Sequence, residues 1–138
     1  MSNKTQLMSV VDDEHDIMSL FSDALSELGD ASVFGFIDST LALEHFKLHQ
    51  LDYSLIISDY RMPTMDGIEL LKKVKAINSS VKTILISAFD IDDKLFEECK
   101  CVDKILQKPI TIPKLINEVE VLLPNRYYCL TPNSYLAK

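Results

Sequence analysis

The sequence lacks the features of a membrane protein and of a nucleic-acid-binding protein. None of its apolar runs reaches the roughly 18 residues that a transmembrane helix needs. Its 14 basic residues form no run, and the 21 acidic residues give a formal net charge of −7. Because proteins bind the phosphate backbone chiefly through clustered Lys and Arg, this pattern disfavours binding to DNA or RNA. We therefore expect neither membrane insertion nor a nucleic-acid partner.

Cysteine is also scarce. The chain has three cysteines, an odd number that cannot be paired completely in disulfides. Cys99 and Cys101 are separated by one residue, Cys129 lies far along the chain, and no Cys-x-x-Cys pair typical of zinc sites is present. The N-terminal residues 1–6 contain no apolar signal core. These observations predict a cytoplasmic protein with reduced thiols.

The chain does contain a regular alternation of short apolar runs and amphipathic segments. With 138 residues, of which 47% are hydrophobic, it can bury one substantial core. The spacing predicts a helix after each run, and the fourth helix is a short one over about residues 91–99. The first helix is predicted to bury an apolar stripe made of Ile17, Leu20, Phe21, Ala24, Leu25 and Leu28. The apolar runs have the length of buried parallel strands and lie at residues 7–11, 33–36, 53–58, 82–86 and 103–107. The alternation predicts an α/β domain with a doubly wound, five-stranded parallel sheet.

Polar side chains stand at the ends of four of these runs. Asp12 and Asp13 follow the first run, Asp59 ends the third, Ser87 follows the fourth and Lys108 follows the fifth. In an open parallel sheet the carboxyl ends of the strands lie at one edge, where ligands bind. We therefore expect the three carboxylates, the hydroxyl and the ammonium group to converge. Such a set suits a magnesium ion, a nucleophilic carboxylate and a phosphoryl group.

Each of these residues has a simpler explanation when it is considered alone. Asp12 and Asp13 could cap the first helix, and Ser87 could belong to a turn. Lys108 could be an ordinary loop residue, and Asp59 could be an acidic residue that merely happens to end a strand. Their joint placement at one edge of the sheet favours the functional interpretation.

Three histidines and a glutamate are weaker candidates. His45 and His49 are four residues apart on the second predicted helix and could hold a metal, but a solvated helix face is the favoured interpretation. His15 and Glu14 follow the acidic pair. They could tune the site, or they could be polar residues of the first helical turn, where the helix dipole favours an acid.

The chain resembles the receiver domains of two-component response regulators. The resemblance covers roughly residues 5–123 and leaves residues 124–138 as a tail without an output domain. It implies a flavodoxin-like (βα)5 fold with the strand order 2-1-3-4-5. The motifs that carry it follow the family's order and are Val11-Asp12-Asp13-Glu14, Asp59-Tyr60-Arg61-Met62-Pro63, Met65-Asp66-Gly67-Ile68-Glu69-Leu70, Ser87-Ala88 and Lys108-Pro109.

The resemblance implies a phosphorylation site. Asp59 would accept a phosphoryl group from a histidine kinase or a histidine phosphotransfer protein, and Lys108 and Ser87 would contact phosphoryl oxygens. The protein would not be a conventional enzyme, because it would catalyse only its own phosphorylation and dephosphorylation. It would signal through a changed affinity for a downstream protein, as a monomer or as a weak dimer formed through the fourth helix, fifth strand and fifth helix.

The resemblance also assigns the cofactor, which is Mg²⁺. Asp13 and Asp59 would be direct ligands, Asp12 would act partly through water, and the backbone carbonyl of Arg61 would complete the protein set. Hard oxygen ligands of this kind are those that Mg²⁺ prefers.

One residue departs from the family's pattern in a way that affects the expected switch. Ile105 stands where receivers usually carry Tyr or Phe in the fifth strand, and an isoleucine has no ring to swing between buried and exposed positions. We therefore expect the change to involve the loop after Ser87, with Phe89 and the short fourth helix. Phe89 and Arg61 also flank the site at positions that tune water access in the family.

Two other functions stay open from the sequence. The first is a receiver-like scaffold that is never phosphorylated, against which the complete set of Asp, Ser and Lys argues. The second is a magnesium-dependent phosphatase with an aspartate nucleophile. Such enzymes usually have a second aspartate two residues after the nucleophile, and this chain has Arg61 at that position.

Overall fold

The protein was analysed as a computed structural model that describes residues 6–29, 31–88 and 92–124. Strands and helices alternate along these residues as β1 (Leu7–Val11), α1 (His15–Ser26), β2 (Ser32–Phe36), α2 (Ser39–Leu48), β3 (Tyr53–Asp59), α3 (Gly67–Ile77), β4 (Lys82–Ser87), α4 (Asp93–Glu98), β5 (Lys104–Gln107) and α5 (Ile112–Leu122). All strand pairs are parallel, and the sheet order is β2-β1-β3-β4-β5. The predicted fold class and strand order are confirmed. Apart from Pro124, the expected tail lies outside the described residues.

The sheet is covered by helices on both faces, as its continuous apolar strands require. Every residue of β1 is buried, and β3 and β4 are buried over most of their length. On one face, Ile56 and Leu85 pack against a cluster that includes Phe46 of α2 and Leu71 of α3. On the other face, the sheet packs against α1 and α5 through side chains that include Met8, Val10, Ile57, Phe21, Leu25, Leu115 and Val119. The sheet is therefore a rigid platform for groups at its edge.

Side-chain caps set the starts of four helices. Asp38, Asp66, Asp92 and Thr111 each accept a hydrogen bond from a backbone N–H in the first turn of α2, α3, α4 and α5, respectively. Asp and Thr are favoured at this position because they satisfy N–H groups that have no partner within the helix. Side-chain hydrogen bonds therefore fix where these four helices begin.

Two elements at the β4–β5 edge are shorter than the sequence predicted. Helix α4 spans only Asp93–Glu98, and β5 begins at Lys104 rather than at residue 103. The carboxylate of Asp103 explains the second difference. It accepts a hydrogen bond from the backbone N–H of Thr83 at 2.8 Å and pairs with the Lys75 ammonium at 2.7 Å. This residue therefore joins the start of β4 to α3 instead of extending β5.

One residue of the predicted apolar stripe on α1 is exposed, and Ile17, Ala24 and Leu28 are half-buried. Leu20 is 52% exposed, whereas Phe21 and Leu25 are buried against the sheet. A helix that lies on a sheet buries only the side chains that face it, so a wide apolar stripe leaves its margin in solvent. Within the described residues, no helix has both the length and the apolar character needed to cross a bilayer.

Replacement of Phe46 should test the core directly. Phe46 is fully buried in α2, and its removal in Phe46→Ala should lower the free energy of unfolding by about 3–5 kcal/mol through lost burial and a new cavity. The control is Leu48→Ala in the same helix, where Leu48 is 78% exposed and a change within about 0.5 kcal/mol is expected. Urea unfolding followed by circular dichroism measures both, and equal losses would contradict this description of the core.

Candidate functional site

The polar residues singled out at strand ends lie at one edge of the sheet. Asp12 directly follows β1, Asp59 is the last residue of β3, Ser87 is the last residue of β4, and Lys108 directly follows β5. The strands are parallel, so these positions share the carboxyl edge. Asp13 follows Asp12 at the same edge. The structure therefore brings together the five side chains that were predicted to converge.

The three aspartates form a compact carboxylate cluster. Each of Asp12, Asp13 and Asp59 offers an oxygen that lies within 4.8 Å of the others. Asp12 is buried, Asp59 is half-buried and Asp13 is exposed. Close carboxylates repel one another unless a cation or a proton compensates the charge. Their oxygens are hard ligands of the kind that Mg²⁺ prefers, so this donor set fits that ion.

Asp12 also orders the turn that leads into α1. Its Oδ1 accepts a hydrogen bond from the backbone N–H of Glu14 at 2.9 Å, and Glu14 itself makes no side-chain capping bond. The other oxygen, Oδ2, lies 3.7 Å from the ammonium group of Lys108. Asp12 does not cap α1, because Glu14 is the N-cap residue and the bonded N–H precedes the helix; one oxygen of Asp12 orders this turn and the other faces the site.

Lys108 supplies positive charge to the cluster. Its Nζ lies 2.8 Å from Oδ1 of Asp59, and its backbone N–H donates to the carbonyl of Ser87 at 2.7 Å. Burial disfavours the charged ammonium. The hydrogen bond to Asp59 and the charges of Asp59, Asp12 and Glu14 outweigh it and raise the pKa of Lys108. Lys108 is therefore held in place by its backbone and kept charged by its neighbours.

The environment favours the charged form of Lys108 but disfavours the charged form of Asp12. Burial raises the pKa of its carboxyl group above the ordinary value of 3.8, and the Asp59 carboxylate adds to the effect. The N–H of Glu14 and the Lys108 ammonium oppose the rise without cancelling it. Without a bound metal cation, ionisation of Asp12 therefore costs more free energy in the native state than in the unfolded chain.

The loop between β3 and α3 is held close to the cluster by backbone contacts. Tyr60 donates its N–H to the carbonyl of Ile86 at 2.8 Å, and Gly67 donates its N–H to the carbonyl of Tyr60 at 2.7 Å. A side chain at Gly67 would overlap the carbonyl oxygen of Asp59. The Arg61 guanidinium lies over the ring of Tyr60, 4.7 Å from its centroid. The sequence marked Gly67 as part of a motif, but the reason for glycine there is this close approach.

The proposed switch residues differ in what the structure shows of them. Ser87 is fully buried at the end of β4, and Ile105 is half-buried in β5 against the core cluster of α2, α3 and α4. Phe89 lies outside the described residues. The position of Ile105 agrees with an aliphatic side chain that packs, and its role in a switch stays a prediction.

None of the three histidines belongs to this cluster of metal-ligating side chains. His45 is half-buried, its Nδ1 lies 2.7 Å from the hydroxyl of Tyr53, and its ring packs 4.5 Å from that of Phe34. The favoured interpretation of a solvated face is therefore wrong for His45, although His49 is exposed. His15 is exposed, with its Nδ1 3.9 Å from the Asp16 carboxylate. Within residues 6–29, 31–88 and 92–124, only the three aspartates place three metal-ligating side chains together.

Comparison with known proteins agrees with the family resemblance seen in the sequence. The family model described as "Response regulator receiver domain" matches residues 8–120. The chain is 30% identical over 115 residues to the response regulator receiver protein CpdR of Brucella abortus, which covers 83% of this chain and 93% of that protein. It is 28% identical over 117 residues to sporulation initiation phosphotransferase F of Bacillus subtilis, covering 83% and 91% of the two chains. Two further curated relatives are much longer, and the chain spans less than a quarter of each.

Solved structures share the same fold. A response regulator receiver domain protein from Clostridium thermocellum superimposes with a TM-score of 0.77 at 25% identity, covering 91% of this chain and 98% of that one.

Substitution of Asp12 should reveal the repulsion in the cluster. Asp12→Asn keeps an oxygen for the N–H of Glu14 but removes the charge, so the free energy of unfolding should rise at pH 7 without divalent cations. A carboxyl group with a raised pKa stabilises the native state in acid and loses that contribution as pH rises through its pKa. The gain from Asp12→Asn should therefore shrink as the pH falls and vanish below 3.8, where Asp12 is protonated in both states.

Chemical unfolding at several pH values, with a chelator present, measures this difference. Asp13→Asn is the control, because Asp13 is exposed and its charge is better hydrated. A loss of stability in Asp12→Asn at pH 7 would show that the carboxylate is stabilising and would contradict the argument.

Proposed function

The chain belongs to the response regulator receiver domain family, and on that premise we propose that Asp59 accepts a phosphoryl group from a histidine kinase or a histidine phosphotransfer protein. Receiver domains interact with such donors and with downstream targets. The observation that supports the proposal most is the arrangement around Asp59. Its carboxylate ends the middle strand, lies in a cluster with Asp12 and Asp13, and contacts Lys108 at 2.8 Å.

The reaction follows from these groups. A carboxylate oxygen of Asp59 attacks the phosphorus of a phosphohistidine, a P–O bond forms, and the P–N bond breaks as the imidazole leaves with the electron pair and takes up a proton. Because phosphoryl transfer has a loose transition state, catalysis consists mainly of positioning and charge compensation. Lys108 donates to a phosphoryl oxygen, and the Ser87 hydroxyl donates to another.

The cation is part of this proposal. Receiver domains generally bind Mg²⁺. Asp13 and Asp59 are proposed as direct ligands, Asp12 as a ligand that acts partly through water, and Arg61 as the donor of a backbone carbonyl. Bound Mg²⁺ supplies positive charge to the carboxylates and to the phosphoryl oxygens.

Lys108 serves the site both before and after phosphorylation. In the unphosphorylated protein its ammonium compensates the charge of Asp59. Phosphorylation places a charge of about −1.5 to −2 next to it, as phosphate groups carry near neutral pH. Lys108 thereby gains a stronger partner in the phosphorylated state, and this difference in contact can shift a conformational equilibrium.

The loop residue Arg61 is proposed to limit the access of water to the phosphorylated aspartate. It is exposed, two residues after Asp59, and its guanidinium is held over the Tyr60 ring. Cation–π contacts of this kind orient an exposed side chain at low cost. Phe89, two residues after Ser87 in the sequence, is likewise proposed to limit the access of water.

The output is proposed to be a changed affinity for a protein partner, through the face formed by α4, β5 and α5. A cavity of about 410 Å³ lies on this face between Phe96, Cys99, Val102 and Ile105, and Phe96 is 61% exposed. Exposed apolar side chains around a cavity favour protein docking. We propose a monomer, or a weak dimer through the same face, that acts in the cytoplasm, where the unpaired thiols of Cys99 and Cys101 are stable.

Labelling with acetyl phosphate tests the phosphoacceptor. Intact-mass measurement should show one phosphoryl group on the wild type in the presence of Mg²⁺, and none on Asp59→Asn or when a chelator removes the ion. Asp23→Asn, which changes an exposed aspartate of α1, is the matched control and should label like the wild type. Equal uptake by Asp59→Asn would refute the assignment. An unlabelled wild type would favour a scaffold, and turnover of a phosphate ester would favour a phosphatase.

Amide hydrogen exchange tests the proposed switch. Beryllofluoride, which mimics the phosphoryl group, should change exchange mainly in residues 87–99 because the Ser87 hydroxyl gains a contact. Ser87→Ala should abolish the change, and Ile105→Val should keep most of it because Ile105 offers no polar contact. The opposite result for the two variants would show that the signal passes through β5.

A further inference from the structure

A buried hydrogen bond connects α2 to the loop that follows Asp59. Ser39 is the first residue of α2 and is only 1% exposed. Its hydroxyl donates to the backbone carbonyl of Met65 at 2.7 Å, across 26 residues of sequence. Met65 belongs to the segment between β3 and α3, residues 60–66, which is called the acceptor loop below.

Ser39 is not needed to cap its own helix. Asp38 performs that function, because its Oδ1 accepts hydrogen bonds from the backbone N–H and the hydroxyl of Thr40 at 2.8 and 2.7 Å. A serine at a helix start commonly bonds to its own first turn. Here the hydroxyl is directed to another element, so its contribution is to the acceptor loop.

The acceptor loop also has contacts of its own at this point, because the N–H of Met65 donates to the carbonyl of Pro63 at 2.8 Å and the Met65 side chain is only 7% exposed. At the beginning of the loop, the N–H of Tyr60 donates to the carbonyl of Ile86. At its end, the N–H of Gly67 donates to the carbonyl of Tyr60. Between them, Thr64 has a φ of 71°, a left-handed conformation that costs free energy for a residue other than glycine. Such a conformation persists only where neighbouring contacts enforce it. The Met65 N–H closes this turn on Pro63, and the bond from Ser39 ties the Met65 carbonyl to α2.

We propose that Ser39 is a positioning residue for the cation and phosphorylation site. It holds Met65 and thereby fixes the path of the acceptor loop, including the backbone carbonyl of Arg61. Ser39 does not contact the reacting groups and acts through the loop. This inference rests on the proposed function, because it assigns Ser39 a role at the site formed by Asp59 and its neighbours.

The expected effect is on cation affinity. Without the Ser39 hydroxyl, the two ends of the loop and the Met65 N–H keep their bonds, but the Met65 carbonyl loses the donor that ties the loop to α2. The Arg61 carbonyl then samples more positions, and residues that orient metal ligands typically change affinity by about tenfold or more when they are replaced. Ser39→Ala should therefore bind the cation about tenfold more weakly.

The experiment uses the full chain and two readouts. Binding of Mn²⁺, as a paramagnetic probe in place of Mg²⁺, is measured by electron paramagnetic resonance. The rate of labelling by acetyl phosphate is measured as a function of Mg²⁺ concentration. Ser39→Ala is compared with Thr40→Ala, which removes the neighbouring hydroxyl in the same helical turn, where the partner is Asp38 and not the loop.

The proposal predicts that Ser39→Ala and Ser39→Gly need a higher Mg²⁺ concentration for the half-maximal labelling rate and bind Mn²⁺ more weakly. Thr40→Ala should leave both quantities unchanged. A merely structural role would lower the folded fraction, and with it the maximal rate, without moving the half-maximal concentration. If Ser39→Ala and Thr40→Ala both match a wild type that is labelled normally, the inference is wrong and the proposed function stands. A wild type that takes up no phosphate would refute the proposed function itself.

Discussion

Repulsion among three carboxylates at one edge of a sheet is the constraint on which the site depends. Asp12, Asp13 and Asp59 are held within a few ångströms of one another by the ends of β1 and β3, and only part of their charge is compensated by Lys108. A sequence selected for stability alone would place fewer like charges there. The same charge suits a small hard cation, because a cation held between the carboxylates would relieve their repulsion.

The rest of the fold keeps this cluster from relaxing. The strands that carry the aspartates are buried on both faces, so they cannot separate without exposing the core. Gly67 allows the start of α3 to lie against the carbonyl of Asp59, and Ser39 holds the middle of the same loop. Lys108 is tied to Ser87 through its backbone before its side chain reaches Asp59. Contacts from α3, from α2 and from the residue after β5 therefore hold the site in place against the repulsion among its carboxylates.

Stability is distributed unevenly around the sheet, and this bears on signalling. On the side of α2 and α3, large side chains such as Phe46 and Leu71 are fully buried. Helix α4 has six residues and buries only Leu95 among them. Elements with few buried apolar contacts open at low free-energy cost, so α4 opens at a lower cost than α2 or α3.

The sequence by itself determined the fold class, the order of the elements and the edge at which the polar residues meet. Apolar runs of strand length and helical stripes report which face of an element is apolar, and the rule for parallel sheets places the strand ends together. Only the tertiary structure decided that Leu20 is exposed, that His45 bonds to Tyr53, that Asp103 leaves β5 to bond with Thr83 and Lys75, and that Ser39 donates to Met65. Periodicity carries no information about which neighbour a side chain meets, because that depends on how helices and loops pack across tens of residues of sequence.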